Sequence, residues 1–92
     1  MVITVTRSES YQTNHIVGAG VASVDIVEQP AEKKKETEYW LLVSGIYQRQ
    51  WFVARRPKDK IPELEKMRES IADGLKTNKD VTVDGDNLPS FS

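Results

Sequence analysis

The spacing of the apolar residues changes once along the chain, at Pro57, and that change restricts the fold more than any other feature. After it, Ile61, Leu64, Met67, Ile71 and Leu75 recur at spacings of 3, 3, 4 and 4, which lines one face of an α-helix. Pro62 suits the first helical turn, where its missing N–H costs no bond. Asp59 is placed to cap the helix, and Glu63 and Glu65 sit where the helix dipole favours negative charge. Gly74 and Asn78 mark its end. Before Pro57 the apolar residues are largely β-branched and come in short runs. Strands followed by one helix predict an α+β fold: a small antiparallel sheet of about four strands with one C-terminal amphipathic helix packed on one face.

Val2 to Thr6 alternates apolar and hydroxyl residues and reads as a strand. The tract Ile16 to Glu28 is also β-branched, and Gly18-Ala19-Gly20 interrupts it with a bulge, a bend or a close backbone approach. Beyond the interruption Ala22, Val24 and Ile26 form the better core face. Gln29 to Thr37 reads as a charged connector, in which Pro30 ends a strand and Lys33, Lys34 and Lys35 repel one another. In Tyr39 to Arg56, Ser44-Gly45 reads as a two-residue turn joining Tyr39–Val43 to Ile46–Ala54, with a single strand kinked at Gly45 as the alternative. The hairpin sets Leu42 opposite Tyr47 and Trp40 opposite Arg49, so Trp40, Tyr47, Arg49 and Trp51 share a face. Residues 1–79 then form a single domain, and residues 80–92, with one β-like piece at Val81-Thr82-Val83, read as an acidic, mobile tail.

Composition removes several function classes. At 92 residues with 38% hydrophobic and 29% charged residues the chain supports one modest core. Without cysteine there is no disulfide framework, thiolate nucleophile or zinc–cysteine site. His15 is the single histidine and no Gly-x-Ser-x-Gly elbow accompanies it, so no catalytic residues and no enzyme activity are expected. Glu65, Glu69 and Asp73 stack along one side of the helix and read as a solvated face. Asp80-x-x-x-Asp84-Gly85-Asp86 matches part of a calcium loop, yet Thr82 replaces an expected carboxylate and Phe91 stands where a bidentate Glu belongs. An acidic turn is the reading, with no metal and no cofactor. The apolar runs Trp40–Val43 and Trp51–Ala54 are too short to cross a bilayer, and the N-terminus lacks a signal peptide's basic and apolar regions. The expectation is a small soluble, cytoplasmic protein with no membrane partner.

The net charge of −1 conceals opposed segments. Residues 1–48 balance to −2 and residues 61–92 to −3, whereas residues 49–60 hold five bases against one acid, a balance of +4. The basic segment is interleaved with aromatics, which gives one candidate binding surface: Trp40, Tyr47, Arg49, Trp51, Arg55, Arg56, Lys58 and Lys60. Guanidinium groups meet phosphates and aromatic faces stack on unpaired bases, so single-stranded DNA or RNA is one partner. The competing reading makes the tryptophans core, with Arg49 covering Trp40. The order Tyr39–Arg56 and then Ile61–Lys76 resembles small single-strand-binding coactivator domains, in which one long helix follows a curved antiparallel sheet and dimerises. The leading expectation is a non-catalytic protein-binding or regulatory module that uses a sheet face or edge to hold a protein partner or a second copy as a homodimer. Single-stranded nucleic-acid binding through residues 47–60 is the alternative.

Overall fold

The computed structural model describes residues 1–7, 12–29 and 37–86. The lysine run of the connector, Pro30 and Phe91 lie outside the described residues. The fold is α+β, built from six strands and one helix. In the first sheet β1 (Val2–Arg7) lies between β2 (Gln12–Val17), its antiparallel partner, and a parallel strand near the C-terminus. The second sheet is an antiparallel meander of β3 (Val21–Gln29), β4 (Glu38–Gly45) and β5 (Gln50–Pro57). Helix α1 (Ile61–Thr77) packs on all three meander strands, and β6 (Val81–Asp84) then returns to pair with β1.

The strands, mostly antiparallel, divide into two three-stranded sheets because the Gly18-Ala19-Gly20 interruption is a corner between strands. Those residues form one 3-10 turn. The Gly18 N–H donates to the Met1 carbonyl at 2.9 Å, and a Cβ at Gly18 would overlap the Met1 side chain. The chain leaves the first sheet there and begins the second.

Alternation in β1 buries Ile3 and Val5, which meet Ile16, Leu41, Val43, Val53, Ala54, Val83 and the helix residues Leu64 and Ile71 in one core. Full burial of each large aliphatic side chain contributes about 1.5–3 kcal/mol. Val24 and Ile26 pack against this core, as do Met67 and Leu75, so the apolar stripe of the helix faces inward as its spacing predicts. Glu65, Glu69 and Asp73 are exposed on the other side. Two details of the helix differ from expectation. Lys60 occupies the N-cap without a side-chain cap bond, because Asp59 is taken up in the 3-10 turn Lys58–Lys60. Gly74 is interior to the helix; its missing Cβ makes room for the Val81 side chain, and Asn78, at φ 56°, closes the helix.

Residues just past position 80 form a strand of the first sheet. β6 runs parallel to β1 in the register Ile3–Val81 to Thr6–Asp84, and Val83 is buried. The carboxylates around it serve as hydrogen-bond acceptors. Asp80 Oδ1 accepts the Val2 N–H at 2.8 Å, Asp84 Oδ1 accepts the Thr6 hydroxyl at 2.7 Å, and Asp86 Oδ2 accepts the Arg55 N–H at 2.8 Å. The Asp86 N–H donates to the Val53 carbonyl at 2.9 Å, so residues 80–86 join the two sheets.

The β4–β5 turn also moves. β4 continues through Ser44-Gly45, and the Gly45 N–H meets the Arg49 carbonyl at 2.6 Å around the loop Ile46–Gln48. Val43 therefore lies opposite Trp51 and Leu42 opposite Phe52. An irregularity between Leu41 and Leu42 sets an extra residue in β5, and Phe52, Val53 and Ala54 are all buried. Strict alternation fails there for that reason. Gln48 carries φ 62°, the left-handed conformation that a three-residue hairpin loop normally gives to glycine. Gln48→Gly is expected to raise stability by about 1 kcal/mol, read as a higher urea midpoint with an unchanged slope. An unchanged or lower midpoint contradicts the assignment.

Candidate functional site

The local sequence preference and the observed structure disagree most at the β4–β5 turn. Hairpin loops favour Gly, Asn and Asp because these accept turn dihedrals at low cost. This loop instead presents Ile46, Tyr47 and Gln48. Ile46 is 55% exposed and Tyr47 84% exposed, and the only other large apolar side chain so open among the described residues is Val17, at 63%. All three line one cleft of about 440 Å³.

One wall of the cleft is β2, through Asn14, His15 and Val17; the other is the turn with Arg49 and Trp51. The Arg49 guanidinium lies over the Trp51 ring at 5.6 Å from its centroid, a cation–π arrangement that holds the long side chain along the cleft. Trp51 is half-buried and packs against the core on its inner side. His15 Nδ1 lies 3.3 Å from the Thr4 hydroxyl. Arg49 meets no carboxylate among the described residues, and none lines the cleft. β2 is an edge strand of its sheet, and its second edge pairs with no strand among the described residues. The strand Gln12-Thr13-Asn14-His15-Ile16-Val17 holds no Lys, Asp, Glu or Pro, the residues that ordinarily guard an open edge.

The eight residues singled out in the sequence divide among three places. Tyr47, Arg49 and Trp51 come together in the cleft. Trp40 does not join them, because the register places it opposite Arg55 on the other face of the second sheet. There it packs edge-on to Phe52 at 5.2 Å and donates its indole N–H to Glu38 at 3.2 Å. Arg49 accordingly covers Trp51, not Trp40. Arg55, Arg56, Lys58 and Lys60 lie at and beyond the far end of β5, a strand of eight residues and about 25 Å. Arg56 is engaged by Glu63 at 3.3 Å and by Asp86 at 2.7 Å, whereas Arg55, Lys58 and Lys60 are exposed. No continuous aromatic and basic platform spans residues 40–60.

Val17, Ile46 and the β2 wall are additions that sequence reasoning missed. Their signal was available only in part, as two β-branched residues beside glycines; exposure depends on the corner and the loop. Arg7 was also missed. It is 3% exposed, donates from Nε to Asn14 Oδ1 at 3.0 Å, and reaches the Phe52 and Asp86 carbonyls through its two other nitrogens. Burial pulls its guanidinium below the ordinary arginine pKa, and Asp86 opposes the fall. Through Asn14 it fixes one end of the cleft wall.

Among the described residues no group of three or more His, Cys, Asp or Glu side chains is placed to hold a metal ion, and no helix is long and apolar enough to cross a membrane. Comparison with known proteins gives no match: no family model, no curated protein and no solved structure is similar to this chain.

Proposed function

We propose that the protein is a non-catalytic protein-binding module and that the β2/turn cleft is its binding site. One observation carries this reading: Val17, Ile46 and Tyr47, exposed at 63%, 55% and 84%, converge on a single cleft beside an open strand edge. Clustered exposed apolar side chains mark binding surfaces, and an unguarded edge accepts an extended segment of another chain. The Tyr47, Arg49 and Trp51 group also suits a stacked base, so single-stranded nucleic acid is the second reading.

The test compares the wild-type chain with the double variant Ile46→Ser/Tyr47→Ser. Both positions are exposed, so each substitution is expected to change stability by less than about 0.5 kcal/mol. Affinity capture from lysate and light scattering on the isolated protein are run in parallel. The expected result is a retained protein, or a second copy, that the wild type holds and the equally folded variant loses. A monomeric wild type that holds nothing the variant loses contradicts the proposal. Salt-sensitive tryptophan quenching by a single-stranded oligonucleotide, with no captured protein, transfers the site to nucleic acid.

A further inference from the structure

We infer that the segment recognised by the cleft is anionic as well as apolar: a stretch of a partner protein in which a carboxylate stands beside an aliphatic or aromatic residue. The inference rests on the protein-binding reading of the same cleft and names the chemistry of its occupant. Two features carry it. The cleft offers apolar contact at Val17, Ile46 and Tyr47, which selects apolar side chains without regard to charge. Its fully charged group is Arg49, exposed at the rim and opposed by no acid among the described residues of the lining.

Arg56 of the second sheet sets the contrast: its side chain is held between Glu63 and Asp86. Arg49 instead has the Trp51 ring beneath it, which orients the guanidinium and leaves its N–H groups to donate to a carboxylate from outside. A basic segment entering the same cleft meets repulsion from Arg49, and no acid among the described lining residues relieves it, so the arrangement discriminates by sign.

The probes are three capped peptides, acetyl-Leu-Glu-Phe-amide and its Gln and Lys counterparts, titrated into the full chain at low salt and followed by amide chemical shifts. The expected affinity order is Glu, Gln, Lys, with about a fivefold span between the first and last. Shifts should concentrate at residues 14–17 and 45–51. In Arg49→Gln the three affinities should converge, and in added salt the span should shrink toward one. Equal binding of the three peptides at the cleft overturns the anionic preference and leaves the protein-binding reading standing. No shift with any of them overturns both. Shifts produced only by an oligothymidylate replace the protein partner with nucleic acid and likewise overturn both.

Discussion

Arg7→Met is expected to destabilise the protein by about 3–5 kcal/mol, the range for removing one member of a buried charged network. Arg7 closes β1, and its guanidinium is the convergence point of three segments. It donates to the Phe52 carbonyl in β5, to the Asp86 carbonyl after β6 and to the Asn14 side chain in β2, and it lies 5.9 Å from the centre of the Phe52 ring. Methionine fills much of the volume and supplies no donor, so the Phe52 carbonyl loses its guanidinium partner in a buried position. Arg7→Lys keeps the charge but not the fork of N–H groups that serves several acceptors at once, and an intermediate loss is expected. Urea unfolding measures both variants. A loss below about 1 kcal/mol for Arg7→Met would show that the network contributes little beyond what packing provides.

Arg7 also shows where a linear reading stops. Val2 to Thr6 announces a strand through alternation, and Arg7 continues that alternation onto the buried face, where a charged residue is not expected. These three hydrogen-bond partners among the described residues lie 7, 45 and 79 positions away, so no adjacent residue declares them. The helix is the opposite case. Its period, Pro62 and Asn78 are local signals, and the stripe of Leu64, Met67, Ile71 and Leu75 faces the core as the spacing requires.

The site was half legible. Tyr47, Arg49 and Trp51 stand out because aromatic and basic residues alternate over a few positions, and they do meet in space. The remainder depended on the hairpin register. Ser44-Gly45 is a stronger turn signal than Ile46-Tyr47-Gln48 by residue preference alone. Pairing through Gly45 prevails because it sets Val43 against Trp51 on the core side, and with the extra residue in β5 it buries Val53 and Ala54. Tertiary burial outweighs the cost of φ 62° at Gln48, which is about 1 kcal/mol. Ile46 and Tyr47, left outside by that solution, join Val17 at the corner as the apolar side chains the proposed partner covers.

A chain ended after Lys79 is expected not to fold. The sequence presents residues 80–92 as a polar tail, and a tail is dispensable. The structure makes Val81–Asp84 a strand whose loss uncovers β1, removes buried Val83 from the core and exposes the face of Gly74 against which Val81 packs. It also strips the Val2 N–H of Asp80, the Thr6 hydroxyl of Asp84, and both the Arg55 N–H and the Arg56 side chain of Asp86. The Val83 burial contributes about 2 kcal/mol and each lost hydrogen bond about 1 kcal/mol. A small domain has a total stability of only about 5–10 kcal/mol, so the combined loss is comparable with the whole. Circular dichroism and amide dispersion of the shortened chain give the readout. Two point variants keep the cause attributable: Val83→Ser should cost about 2 kcal/mol and Asp86→Ala about 1–2 kcal/mol. A shortened chain with native dispersion, together with neutral point variants, would restore the tail reading and detach β6 from the fold.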